Sequence, residues 1–318
     1  LLRDLYAEQR LIFVPYVLPG FKLAKKVLEI THNLDLKKYE GMLLLNHGII
    51  SFAESAHESY IRMLDLVSLA EKAIEENAAN QLPSKTALKE DLQEEDLRQM
   101  AVVRRKVSQI RGAAMLAQLD NAPEACGFTN LPNVKDIATR GPITSDHLIR
   151  TKPIPVILDP NNLEKSLDDF ASGYKEYFER HTDGQKICLD SAPRWGVWPG
   201  IGTVAFGRNI TESRIVTDIV QHTVKAIQLA ESIGGWNPVT EDHLFEGEYW
   251  ELQQVKLSNN SIVPNENESR EFEGKIALVS GAASGIGLAS ARELYAQGAV
   301  VTGLDLNPKI SNILSESG

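Results

Sequence analysis

The chain has 318 residues, 43% of them hydrophobic and 24% charged, and a formal net charge of −10. That balance describes a globular chain of about two ordinary domains. It argues against nucleic acid as the main partner, because no Lys/Arg cluster offsets the acidity. Two cysteines, Cys126 and Cys188, are too few for a disulfide scaffold and point to a reducing, cytoplasmic setting; neither a secretory signal nor an apolar run of about 18 residues marks a membrane span.

The chain opens on Leu1 inside a periodic apolar pattern, which reads as a piece of a longer protein. LIFVPY (11–16) has the character of a strand, and the spacing of Phe21, Leu23, Ala24, Val27 and Leu28 predicts a helix from Gly20 to about Ile30. Residues 42–46 read as a buried strand and 49–52 as a short second one. A long amphipathic helix runs from Glu54 to about Asn77, with Ile61, Leu64, Leu69 and Ile74 on or near its apolar stripe. Residues 78–93 are polar, contain Pro83 and suit an exposed loop; a helix follows near 94–111, then a strand-like AAMLAQL (113–119).

From Gly141 the pattern restarts. TSDHLIRTKP (144–153) has a Ser/Asp helix start and a Pro before the strand IPVIL (154–158). Leu163 to about Arg180 is helical. WGVWPGIG (195–202) has glycines suited to a turn into a strand at 201–206, and a long helix over 209–233 ends at Gly234-Gly235. SNNSIVPNENESR (258–270) is polar and aperiodic and reads as a linker. After it, KIALVS leads into a glycine-rich turn, a helix from about Leu288 to Gln297 and a second strand, AVVTGLDL (299–306).

An internal echo appears at a shift of 154 residues. HGIISFAESAHESYI (47–61) meets IGTVAFGRNITESRI (201–215), aligning Gly48 with Gly202, Phe52 with Phe206, Glu58-Ser59 with Glu212-Ser213 and Ile61 with Ile215. The matching order of elements predicts a duplicated module. His47 becomes Ile201 in the second copy.

His47 ends its strand with a glycine behind it, so its imidazole can point into a cleft and ligate a divalent metal. A hydrogen-bonded structural histidine fits the local sequence better, since zinc needs about three protein ligands. His57 reads as a solvated or helix-packing residue. Arg150 and Lys152 can bind a phosphate or carboxylate, but isolated charges are more often solvated; Trp195 and Trp198 can line a pocket, with core packing the commoner case.

LLLNHGIISFAESAHESYIRMLDLVSLAE, preceded by VPYVLPGFKLAKKV (14–27), resembles the C-terminal part of a class II aldolase/adducin-type domain. The resemblance implies that His47 is the last of three zinc histidines, the other two forming a His-x-His pair upstream, and that zinc polarises a ketose carbonyl during aldol cleavage. Only His47 transfers, so the chain alone is expected to be inactive in that reaction. GPITSDHLIRTKPIPVILD and PGIGTVAFGRNITESR resemble the degenerate repeat of larger proteins that fuse such an aldolase to a short-chain dehydrogenase. His147 falls near where a first metal histidine would sit, but no His-x-His follows, so packing is the better reading.

The most specific motif is Gly281-Ala-Ala-Ser284-Gly285-Ile286-Gly287 between strand and helix, with Asp305 lying 18 residues beyond Gly287. Its glycines permit a tight turn and close backbone approach, the helix N-terminus favours a pyrophosphate, and an acid at Asp305 accepts from ribose hydroxyls and repels a 2′-phosphate. NAD is therefore favoured over NADP; a turn of this kind without a cofactor is the bland alternative. Residues 274–306 resemble the start of a short-chain dehydrogenase. That family's catalytic Ser and Tyr-x-x-x-Lys come later than these residues, so the resemblance assigns no catalytic residue here.

The expected fold class is α/β: the C-terminal part of a class II aldolase/adducin-like module with connecting helices (1–140), a degenerate repeat (141–257), a linker (258–270) and the start of a Rossmann-type doubly wound domain (271–318). The order resembles the bifunctional rhamnulose-1-phosphate aldolase/short-chain dehydrogenase family. That implies zinc-dependent cleavage of a ketose 1-phosphate coupled to NAD-dependent oxidation of an aldehyde or alcohol, with sugar phosphate and aldehyde substrates, a homo-oligomer, and neither nucleic-acid nor membrane partners. The alternative is a dehydrogenase carrying a non-catalytic, adducin-like assembly module.

Overall fold

The computed structural model describes residues 2–8, 10–78, 92–259 and 270–315. The first unit contains α1 (Leu2–Leu5), β1 (Leu11–Val14), α2 (Phe21–Thr31), a 3-10 turn (Leu36–Lys38), β2 (Gly41–Leu44), β3 (Gly48–Ser51) and α3 (Ala56–Ala78). β1 and β2 pair in parallel, and β3 returns antiparallel to β2. Alternation along the strands splits the core as the pleat requires. Leu11 and Leu43 pack with Leu66 of α3, while Ile12, Val14, Met42 and Leu44 pack towards Leu23, Val27 and Ile30 of α2.

The second unit runs through α4 (Glu94–Arg111), β4 (Leu116–Asp120), α5 (Pro123–Thr129), α6 (Val134–Ala138), α7 (Ser145–Thr151), β5 (Val156–Ile157), α8 (Leu163–His181), β6 (Trp195–Trp198), β7 (Gly202–Gly207), α9 (Ile210–Ile233), α10 (Glu241–Glu248) and α11 (Glu251–Asn259). Its sheet has the order β4-β7-β6-β5, with β5 and β6 parallel and the other pairs antiparallel. Val204 and Phe206 of β7 pack with Val103 and Val107 of α4 and Leu163 and Leu167 of α8 on one face. Ala205 packs with Val216, Val220 and Val224 of α9 on the other. Local signals set the helix ends. A reciprocal Gln93–Asp96 capping box opens α4, and Gly112, at φ 73°, closes it. Asn209 caps α9 by accepting the Glu212 N–H at 2.8 Å.

The echo is repeated in geometry. A shift of 154 residues carries β2 onto β6 and the start of β3 onto that of β7. Asn46 and Gly200 both have positive φ, 59° and 78°, and Gly48 and Gly202 follow at 140° and 148°. The His47 N–H donates to Leu44 O at 3.0 Å, and the Ile201 N–H donates to Trp198 O at the same distance. In the first unit α2 and α3 cover opposite sheet faces; in the second α4 and α8 share one face and α9 covers the other, and the equivalent helices α3 and α9 pack on each other.

Three expectations need correction. The boundary at 140/141 cuts through the second unit, because β4 is hydrogen-bonded along its whole length to β7. Trp195–Trp198 is strand rather than turn; the turn is confined to the residues after it, and both tryptophans are core, on opposite faces of the sheet. Lys152 is buried rather than solvated. The loop expected over 78–93 and the linker expected over 258–270 fall mostly, at 79–91 and 260–269, outside the described residues, but α11 carries helix through 258 and 259.

The last unit is β8 (Ile276–Ser280), α12 (Gly285–Ala296), β9 (Val300–Leu304) and α13 (Ile310–Ser315), with β8 and β9 parallel as a crossover helix demands. It is seated on the second unit. Arg104 donates to Gly274 O at 2.9 Å, Asn209 donates to Glu273 at 2.8 Å, and a Cβ on Gly274 would stand 2.4 Å from Ala114 O. Among the described residues no helix is long and apolar enough to cross a membrane.

Candidate functional site

The glycine-rich turn joins β8 to α12. Gly281 and Gly285 have φ of 65° and 54°, and a Cβ on Gly287 would lie 2.1 Å from Gly281 O. Only glycine lets the first turn of α12 press against the end of β8 in this way. Ser284 is the N-cap, its side chain makes no capping bond, and Ile286 is exposed. The first N–H groups of α12 therefore face outward at the positive end of the helix. Asp305, just past β9, accepts from Ala283 N at 2.9 Å and from Asn307 N at 2.9 Å. Those backbone donors hold its carboxyl below the usual range, so it is ionised beside the turn. All six residues expected at a dinucleotide site thus lie around one turn. The cradle and the adjacent carboxylate fit a pyrophosphate with a ribose diol.

His47 lies in the turn between β2 and β3 rather than at the end of its strand, because β2 stops at Leu44. Its Nε2 lies 2.8 Å from Val17 O, and its ring stacks on Tyr16 at 5.0 Å with an 18° interplanar angle. Tyr16 meets His243 of α10 edge-on at 4.8 Å, and Lys22 pairs with Glu246 of the same helix. The second unit thus buttresses the His47 segment. If Nε2 donates to Val17 O, Nδ1 keeps its lone pair, the arrangement that orients metal-binding histidines. Among the described residues, however, no three His, Cys, Asp or Glu side chains group around a common point. The donors present do not amount to a zinc site.

A third cluster escaped the sequence reading. Lys152 ends α7 at φ 62° and ψ 174°, backbone space that is almost exclusively glycine's. Its Nζ sits 3.6 Å over the Tyr174 ring and 3.8 Å from Glu248 of α10. Tyr174 donates to Glu248 at 2.9 Å, and its hydroxyl is 2.9 Å from that of Tyr249, which accepts from Leu189 N at 3.3 Å. Burial, reinforced by Arg194, lowers the Lys152 pKa to about 8 despite Glu248; burial raises that of Glu248 despite Lys152. Nearby, burial alone would raise the Asp190 carboxyl, but Arg194, hydrogen-bonded to it at 2.5 and 3.0 Å, draws it down to about 2. A helix over 163–180, which carries Tyr174 and Tyr177, was legible in the sequence. Their approach to Lys152 and Glu248 was not, because it depends on where α10 docks.

The positions singled out in the second unit bring no three metal donors together among the described residues. His147 is half-buried, 6.3 Å from the His222 ring, and Ile201, the counterpart of His47, lies in the core. No solved structure matches this chain. An uncharacterized oxidoreductase, YuxG of Bacillus subtilis (strain 168), is 29% identical over 321 residues; the match takes in 96% of this chain but 45% of that protein. Residues 94–257 match the family described as "Aldolase class II, second domain". They are the segment that folds here as the four-stranded sheet and its helices, and the chain belongs to that family.

Proposed function

We propose that this chain spans the junction of a two-activity enzyme, in which a class II aldolase part meets an NAD-dependent oxidoreductase part of short-chain dehydrogenase type. The observation that carries the reading is the Gly281–Gly287 cradle with the Asp305 carboxylate tied to its floor. Gly281, Gly285, Gly287 and the N-terminus of α12 would hold the pyrophosphate of NAD, and Asp305 the adenosine ribose hydroxyls. Bound there, NAD supplies a hydride acceptor for an alcohol or aldehyde. Membership of the aldolase family and the similarity to an oxidoreductase support pairing this activity with cleavage of a ketose 1-phosphate, rhamnulose-1-phosphate-like, whose aldehyde product the oxidoreductase part would consume.

Titration of the intact protein with NADH and NADPH, followed by nucleotide fluorescence, tests the cofactor. NADH is expected to bind more tightly, and Asp305→Ala to weaken NADH by about tenfold while narrowing the difference from NADPH. Equal binding of both nucleotides to the unaltered protein would remove the assignment.

Of the described residues only His47 is proposed as a zinc donor, and a zinc site would need further ligands to join it. One feature favours a second reading, an oxidoreductase with an adducin-like assembly unit. The His47 ring is already held by Val17 O and Tyr16, and among the described residues it belongs to no group of three metal donors. His47→Ala, beside the unaltered protein, separates the two. Loss of aldol cleavage with NAD reduction spared supports the two-activity enzyme, and loss of both or of neither counts against it; NAD reduction with no cleavage of any ketose phosphate by the unaltered protein supports the assembly unit.

A further inference from the structure

Gly173 sits in the middle of the 19-residue helix α8, and no heavy atom lies within 4 Å of where its Cβ would stand. It takes no positive φ. A glycine at such a place costs about 1 kcal/mol relative to alanine. Neither packing nor backbone conformation accounts for it. What the missing side chain leaves open is one side of a cavity of about 430 Å³. That volume is within the range of small-molecule sites.

The walls are pre-formed. Phe170, Tyr174 and Ile154 present ring and alkyl surface to the space. Tyr174 is fixed from behind by its bonds to Glu248 and Tyr249 and by the Lys152 ammonium on its ring. The strained backbone of Lys152 turns the chain so that Pro153 and Ile154, the next two residues, reach the cavity. Strain of this kind persists only where surrounding structure enforces it, and it concentrates at binding sites.

The polar lining selects among ligands. Arg180 is paired with Glu241, and Arg140 with Asp136 and Glu231; Asp169 bonds Lys165 at 2.5 Å. Each guanidinium is already charge-compensated by a carboxylate, and Arg140 by two, so an anion would find no net positive charge here. A neutral hydroxyl can accept from the guanidinium and donate to the carboxylate at once, leaving each pair intact. Aromatic and alkyl walls suit the C–H face of a small ring, and the bare backbone at Gly173 lets that ring lie close to the helix. We infer that this cavity in the second unit binds a neutral, polyhydroxylated ring compound of monosaccharide size. The inference is independent of the NAD and aldolase readings.

The test is saturation-transfer NMR on the whole chain. Glucose, galactose and fructose serve as neutral probes, glucose 1-phosphate as an anionic one and benzoate as a flat apolar acid. At least one neutral sugar is expected to receive saturation, with the phosphate ester and benzoate about tenfold weaker or silent. Gly173→Ala should weaken the sugar signal, and Gly173→Leu should abolish it. Both variants should melt at or above the unaltered temperature and bind NADH unchanged. The inference fails if neutral sugars do not bind, if the phosphate ester or benzoate binds better, or if sugar binding survives Gly173→Leu.

Discussion

Gly202→Ala is expected to destabilise the second unit by on the order of 3–5 kcal/mol, whereas Gly48→Ala, at the matching position of the first unit, should cost about 1–2 kcal/mol. Both glycines open the last strand of a hairpin at nearly the same φ, 148° and 140°, so the backbone penalty is shared. The surroundings differ. A Cβ on Gly202 would lie 2.2 Å from Asp120 O in β4, while one on Gly48 meets nothing within 4 Å. The second sheet has a fourth strand against β7, and among the described residues the first sheet has none against β3. Urea unfolding of the two variants checks this. Equal losses would mean that β4 yields to the added methyl group, and the close β4–β7 seam would then not be a source of stability.

Glu248→Ala should be the most damaging change away from the glycines, costing about 3–5 kcal/mol, because it leaves the Lys152 ammonium buried without its counter-charge and takes away the acceptor of the Tyr174 hydroxyl. The double change Lys152→Met, Glu248→Met should recover most of that loss, since a buried pair replaced by apolar side chains of similar size is often neutral. The pH dependence follows from the lysine. Its pKa falls from the ordinary 10.5 to about 8 on folding, so between these values the unfolded chain holds more protons than the folded one. Stability contributed by Lys152 is therefore complete above 10.5 and is lost as pH falls through 8. Relative to the double variant, the unaltered protein should gain stability from about pH 8 to 10.5. Denaturant midpoints measured across that range would show a flat difference if Lys152 were solvated.

Legibility followed the range of the interaction responsible. The spacing of apolar residues set the helices over 94–111, 163–180 and 209–233 almost to the residue, because periodicity and caps act within a few positions. The glycine turn and Asp305 were legible for a similar reason: strand, turn and helix are consecutive, and the steric demand at Gly287 comes from Gly281, only six residues away. The repeat was visible too, since a hairpin with positive φ at one turn position needs Asn or Gly there in both copies.

Other features depended on contacts that no local pattern encodes. Strand β4 belongs with β7, more than eighty residues later, so a boundary drawn by composition fell in the wrong place. Lys152 looked like any surface cation next to a proline until α10 brought Glu248 beside it, across a gap in sequence of nearly a hundred residues. Tyr16, stacked on His47, meets His243 only because the second unit folds back on the first. The chain's own order of residues thus fixes its helices, its hairpins and its glycine-rich turn, where each hydrogen bond closes over a short loop. Burial of charge, the seating of one unit on another and the open space beside Gly173 emerge only when distant elements dock, because desolvation is a property of the whole surroundings rather than of neighbours in sequence.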